Sequence, residues 1–99
     1  MGIEPEIIVR HNSKASRYEA EVEGRIAVTE YTRAGDRLVF THTFVPPGLR
    51  RRGIAEQLVR NALEDARLQR LRVVPQCSYV AAFIRRNPEF QSLVDEPPG

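Results

Sequence analysis

The sequence predicts a small α/β (α+β) domain on a mixed sheet, with elements in the order β-β-β-β-α-β-α. Three observations carry this. Apolar residues recur with period two through the first half of the chain. The period changes to 3.6 directly after Pro46-Pro47-Gly48. A short β-branched run, Val73-Val74, then returns before a last helical stretch. A strand, a helix and a strand in succession require a parallel pair with a right-handed crossover, so the sheet is mixed rather than purely antiparallel.

The elements follow in order. Ile7-Ile8-Val9 is β-branched and is closed by the turn residues Asn12-Ser13. Tyr18, Ala20 and Val22 alternate with Glu19, Glu21 and Glu23, the pattern of a half-buried strand. Gly24 permits a tight turn into a strand over Ile26–Tyr31, and Ala34-Gly35-Asp36 makes the next turn. From Leu38 to Val45, Leu38, Phe40, His42 and Phe44 are expected on one face, with Val39, Thr41, Thr43 and Val45 on the other. Proline cannot donate to a ladder, so Pro46-Pro47 ends that strand. Ile54, Leu58, Ala62 and Ala66, widened by Val59 and Leu63, form the stripe of a helix over Gly53–Gln69. Glu56 and Arg60 make an i,i+4 pair on its exposed side. Leu71–Val74 is a strand, and Tyr79–Arg86 is a helix with Ala82 and Phe83 inward, stopped by Asn87-Pro88.

With 99 residues the chain fits one domain, expected over 1–94, with 95–99 as a disordered tail containing Pro97-Pro98. No apolar run approaches the roughly 20 residues that span a bilayer. Residues Met1 to Glu6 carry two glutamates and no apolar stretch, which argues against a secretory leader and for a cytoplasmic protein. The lone Cys77 can form no internal disulfide and belongs to no metal-ligand cluster. Basic residues number 15 and acidic residues 13, so the global field is weak. Arg50-Arg51-Arg52 is the one local concentration of a single sign.

That run lies where the chemistry is most legible. Val45 to Ala55 joins a strand to the start of an amphipathic helix, whose unpaired N–H groups and dipole favour a phosphate. Gly53 keeps a side chain out of the way, Ala55 keeps the first turn small, and arginines at the rim can pair with phosphate oxygens. The residues alone say anion site, with a solvated loop as the alternative.

Arg50-Arg51-Arg52-Gly53-Ile54-Ala55 resembles the Gln/Arg-x-x-Gly-x-Gly/Ala signature of GNAT acetyltransferases, at the same place between a strand and a helix. His42 to Pro46, Pro75-x-Cys77 and Asn87-Pro88-Glu89-Phe90 resemble recurring segments of the short subfamily, which lacks the helices between the first two strands. The resemblance covers roughly residues 7 to 94. It implies that acetyl-CoA is the co-substrate, with no metal. Phe44 and Val45 would face the pantetheine arm, and Arg50, Arg51, Arg52, Gly53, Ile54 and Ala55 would hold the pyrophosphate. In larger relatives the last helix carries an asparagine and a tyrosine that protonates the departing thiolate. The matching positions here are Ser78 and Arg85, which removes the family's usual general acid.

For catalysis, Cys77 follows Pro75 and could attack the thioester as a nucleophile. A thiolate there needs a cation or a helix N-terminus, and the helix beginning near Ser78 offers one. The alternative is an inert thiol lining the pocket. His42 could serve as a base and as the partner of Cys77, or be a half-buried histidine bonded to a neighbour. Tyr31 and Tyr79 could each supply a proton through the phenol but read better as packing residues with wet hydroxyls, and Glu30 could deprotonate an amine but reads as an exposed strand glutamate. His11 is given no role.

Three functions compete. The leading one is acetyl-CoA binding with transfer to an amine acceptor, a small molecule or a protein, at a shallow groove. The second is a non-catalytic acyl-CoA sensor. The third is a nucleic-acid-binding domain, which the absence of aromatics among the arginines and of a broad basic surface argues against.

Overall fold

The computed structural model describes residues 7–95. Period-two alternation produces five strands: β1 (Val9–Asn12), β2 (Arg17–Val22), β3 (Arg25–Ala34), β4 (Arg37–Phe44) and β5 (Arg72–Pro75). They form one sheet in chain order, antiparallel from β1 to β4 and parallel between β4 and β5. The crossover helix α1 (Ile54–Leu68) and the shorter α2 (Ser78–Arg86) pack side by side on one face. This is the mixed sheet with two helices that the sequence predicts. A 3-10 turn at Pro47–Leu49 and another over Pro88–Leu93 complete the element list.

The helices bury the faces that their spacing assigns. α1 turns Ile54, Leu58, Val59, Ala62, Leu63 and Ala66 inward. α2 buries Val80, Phe83 and Ile84, so its inner face runs through Val80 and Ile84 and leaves Ala82 half-buried at the edge. These meet Tyr18, Ala20, Ala27, Tyr31, Leu38, Phe40 and Val73 from the sheet in a single apolar cluster.

Two local departures have physical causes. The first strand lies at Val9–Asn12 rather than Ile7–Val9, and Ile8 is exposed. Its register sets His11 against Tyr18, with the rings stacked at 4.1 Å and 5°. The Asn12 carboxamide then accepts from the Ala15 N–H and closes the turn. The second departure is in β4. Glu30 pairs with His42 and Tyr31 with Phe40, so Thr41 is an extra residue with no partner of its own. Its hydroxyl donates to the Glu30 carbonyl. The bulge inverts the alternation beyond it. Leu38 and Phe40 face the core as expected, but from there the inward residues are Thr43 and Val45. His42 and Phe44 point to the opposite face, which corrects the expectation that they share a face with Phe40.

Asp95 is tied down at the end of the fold. Its N–H donates to the Val73 carbonyl and its carboxylate pairs with Arg37 at 3.0 Å. The remainder of the expected tail lies outside the described residues.

At the end of the sheet remote from β5, Tyr18 donates to Asp65 of α1 at 2.5 Å and so joins β2 to the helix. Burial, then this bond, pushes the Tyr18 phenol well above its ordinary range. The folded protein keeps that proton where the unfolded chain gives it up, so the contribution is full below about pH 10 and is lost as pH rises beyond it. Tyr31 and Tyr79 are shifted in the same direction by burial. Urea midpoints at about pH 9 and about pH 11 should therefore differ, and Tyr18→Phe should shrink the difference. Phe40, 1% exposed, anchors the sheet side of the core. Phe40→Ala should cost about 3–5 kcal/mol in the same measurement.

Candidate functional site

β4 and β5 pair only as far as Phe40 and Pro75. Beyond that point the Cys77 N–H donates to the Phe40 carbonyl at 2.8 Å, and the chain turns into α2. The stretch Thr41–Phe44 therefore has no strand on its β5 side among the described residues. A cleft of about 440 Å³ opens there, between the end of β4 and the starts of α1 and α2. Thr43, Phe44 and Val45 form its strand wall, and Tyr79 contributes from α2. Arg50, Arg51, Gly53, Ile54, Ala55 and Glu56 form its helix end.

The turn at the helix end is shaped by two left-handed residues, Arg51 with φ 69° and Gly53 with φ 75°. Gly53 is the N-cap of α1, and no side chain caps the helix. The first intrahelical bond runs from the Gln57 N–H to the Gly53 carbonyl. The N–H groups of Ile54, Ala55 and Glu56 are consequently left over at the positive end of the dipole, facing the cleft. A Cβ added at Gly53 would meet no atom within 4 Å. The backbone angle selects glycine here, and the space in front of it is clear.

The arginine run is divided in three. The Arg50 Nε–H donates to the Val45 carbonyl at 2.9 Å, and its guanidinium lies 5.9 Å from the Phe44 ring centre, closing the rim. Arg51 lines the cleft. Arg52 turns away and pairs with Glu23 at the β2–β3 turn. Of the residues that the resemblance assigns to the co-substrate, all but Arg52 meet in this cleft. Only Arg51 of the three arginines lacks a partner among the described residues, which leaves little of a basic run for a polyanion.

The two expected catalytic residues are not brought together. Cys77 is buried at the N-cap of α2, on the core side of β4, and its thiol donates to the Thr43 hydroxyl at 3.5 Å. That hydroxyl shares a 2.8 Å bond with Thr29, which is fully buried. His42 stands on the outer side of β4, exposed, opposite Glu30. The bulge at Thr41 separates them, because strict alternation would have put His42 where Thr43 is.

Thr43, Leu49 and Glu56 also line the cleft and sequence reasoning gave them no place there, while Tyr79, read chiefly as packing, lines it too. Thr43 is reached only through the bulge, which no residue type announces. Tyr79 had a legible signal, since it opens a helix directly after Cys77. Burial pushes its phenol up, Arg86 pulls it down, and Glu56 adds to the upward shift. Arg85 is exposed in the last turn of α2. Among the described residues no group of three or more His, Cys, Asp or Glu could hold a metal ion. No helix among them is long and apolar enough to cross a membrane.

Comparison with known proteins agrees with this architecture. A family model described as GCN5-related N-acetyl-transferase matches residues 17–93. The chain is 34% identical over 90 residues to Protein NATD1 of Bos taurus, covering 88% of this chain and 80% of that one. The Homo sapiens protein of the same name is 32% identical over the same share of both chains. The solution structure of a GCN5-like protein from Staphylococcus aureus superposes with a TM-score of 0.70 at 17% identity. That overlap covers 92% of this chain and 90% of the other, and it shows the fold.

Removing the Thr43 hydroxyl should expose how tightly this region is tied. Thr43→Val leaves the buried Thr29 hydroxyl without its partner and should cost about 1–3 kcal/mol by urea denaturation, whereas Thr43→Ser should recover most of it.

Proposed function

Because the chain belongs to the GCN5-related N-acetyltransferase family, we propose that it binds acetyl-CoA in the cleft at the head of α1 and transfers the acetyl group to an amine. The observation that carries this reading is the meeting of two unsatisfied backbone surfaces in one cleft. The uncapped N-terminus of α1 offers N–H groups to a pyrophosphate. The strandless edge of β4 offers peptide groups to the amides of a pantetheine arm. Arg51 adds a charge at the rim, and Arg50 holds the rim in shape through Val45 and Phe44.

Acetyl-CoA supplies an activated thioester, and the chain supplies position and protons. The acceptor nitrogen forms its bond to the carbonyl carbon as the carbon–sulfur bond breaks. His42, on the outer side of β4, takes the proton that the amine must lose. Tyr79, kept protonated by burial on the cleft wall, gives a proton to the leaving sulfur. It thereby takes the role for which Arg85 is unsuited. Both groups reset through solvent. Direct transfer is favoured over an acyl-cysteine route because the hydrogen-bond neighbour of Cys77 is a hydroxyl, Thr43, and no base stands beside it among the described residues.

A second reading, transfer through Cys77, draws on the thiol's place at the N-cap of α2. Intact-mass measurement after incubation with acetyl-CoA separates the two. Direct transfer predicts thermal stabilisation by acetyl-CoA with no acetyl adduct on the protein. An adduct that vanishes in Cys77→Ser would establish the cysteine route instead.

Two variants test the assignments. Gly53→Val places a β-branched residue at φ 75°, and should cost about 1–2 kcal/mol of stability while weakening acetyl-CoA binding at least about tenfold. His42→Gln should slow transfer to an amine by about a hundredfold with acetyl-CoA affinity unchanged. Loss of affinity in His42→Gln would remove it from the role of base.

A further inference from the structure

The β2–β3 turn reaches the loop that opens the cleft, and it does so from the core side of the sheet. Val22 pairs with Arg25 across a two-residue turn, Glu23 at φ 53° and Gly24 at φ 75°, a left-handed pair that suits the twist of a hairpin. Arg25 stands two residues before Ala27, which is fully buried, and opposite Val22, which packs against the core. Alternation therefore sets Arg25 on the face that carries α1 and α2, while Ile26 takes the other.

Two contacts tie this turn to the segment Pro47–Arg52. Glu23 pairs with Arg52. Arg25 lays its guanidinium against the α-carbon of Gly48. A Cβ built on Gly48 would stand 3.2 Å from the guanidinium carbon, and closer still to one of its nitrogens. Gly48 is not among the glycines with positive φ, so backbone angle does not account for the residue. The close approach of Arg25 does, because the guanidinium occupies the place of a side chain.

The charges at this end of the molecule are unevenly satisfied. Arg52 is held by Glu23, and Arg60 lies 3.9 Å from Glu56. Arg50 is held by the Val45 carbonyl and the Phe44 ring. Glu21 is opposite Ile26 and so stands on the outer face, away from Arg25. Arg25 and Arg51 have no ion-pair partner among the described residues. Arg51 lines the cleft, whereas Arg25 stands beside it, next to the Leu49 and Arg50 of its wall.

Acetyl-CoA carries a pyrophosphate and, separately, a phosphate monoester on the 3′ oxygen of its ribose. The start of α1 and Arg51 answer the pyrophosphate and leave Arg25 over. We propose that Arg25 binds the 3′-phosphate of the co-substrate, and that Gly48 is the seat that holds Arg25 within reach of it. An arm along β4 and a pyrophosphate at the head of α1 bring the ribose out over Pro47–Arg52, beside Arg25. A planar guanidinium meets two oxygens of a phosphate at once. Its packing on Gly48 lowers the side-chain entropy that binding would otherwise cost. The chain therefore prefers thioesters of intact CoA to those of dephospho-CoA. The proposal rests on the acetyl-CoA reading and adds a specificity-determining residue to it.

The test compares acetyl-CoA with acetyl-dephospho-CoA, which lacks only the 3′-phosphate, by calorimetry at low and high salt. The wild-type protein should bind acetyl-CoA at least about tenfold more tightly. That margin should narrow as salt rises. Arg25→Gln should bring the two ligands within about twofold of each other, by weakening acetyl-CoA alone. Gly48→Ala should do the same with Arg25 intact, because the new Cβ displaces the guanidinium. Arg25→Lys should keep part of the preference, as a point charge without the fork. Equal binding of the two ligands by the wild type would overturn the proposal. So would a preference that survives Arg25→Gln or Gly48→Ala. Equal weakening of both ligands in Arg25→Gln would make Arg25 a prop of the turn instead of a phosphate ligand. Failure of both ligands to bind the wild type would defeat the acetyl-CoA reading itself.

Discussion

The structure depends on one extra residue in β4. Thr41 has no partner across from it, so the strand turns over between Phe40 and His42. That rotation brings Thr43 and Val45 to the inner side, where they form the strand wall of the cleft. It also sends His42 and Phe44 outward. A regular strand would have placed a histidine against the core and a threonine in solvent. The bulge instead gives the domain two chemically different sides that meet along one strand. A half-buried hydroxyl pair with a thiol lies inside, and a histidine beside a glutamate lies outside.

Stability and site share the same elements. α1 is held by an apolar face that runs its whole length, from Ile54 to Ala66. Its far end is fixed to β2 through Asp65 and Tyr18, and its middle carries Arg60 against the Phe83 and Phe90 rings. A helix anchored this way can leave its first turn uncapped, because packing rather than capping supplies the order. The unsatisfied N–H groups at Ile54 to Glu56 are then available to a ligand. The edge of β4 follows the same logic. The sheet tolerates an unpaired stretch there because β5 ends and α2 begins, with Cys77 making the last backbone bond to Phe40.

Most of the fold was legible in the sequence, because it rests on periodicity. The stripe from Ile54 to Ala66, the alternation in β2 and the stop at Pro46-Pro47 each reflect a local steric or hydrophobic rule. The cleft's helix end was legible for the same reason, since Gly53 stands at the start of an apolar stripe and leaves the helix N-terminus clear of a side chain. Side-chain direction past Phe40 was not, because a bulge is decided by pairing with β3, and Thr41 is as good a strand residue as its neighbours. The division of the arginine run was hidden too. Arg52 turns to Glu23 across a gap of sequence that only the β2–β3 turn closes. The outer face of the sheet stayed unread because Glu21, Glu30 and Phe44 come together only once three strands are in register.

The uncapped start of α1 and the free edge of β4 are proposed to form one binding surface for acetyl-CoA. The most direct measurement is a titration of isotopically labelled protein with acetyl-CoA, followed by backbone amide resonances in two-dimensional NMR. The amides of Gly53 to Glu56 and of Thr43 to Val45 should shift together along one saturating curve, while His11 and Gln69 at the far end of α1 stay in place. Shifts centred on the far end, or unshifted Gly53 to Glu56 amides at saturating ligand, would place acetyl-CoA elsewhere.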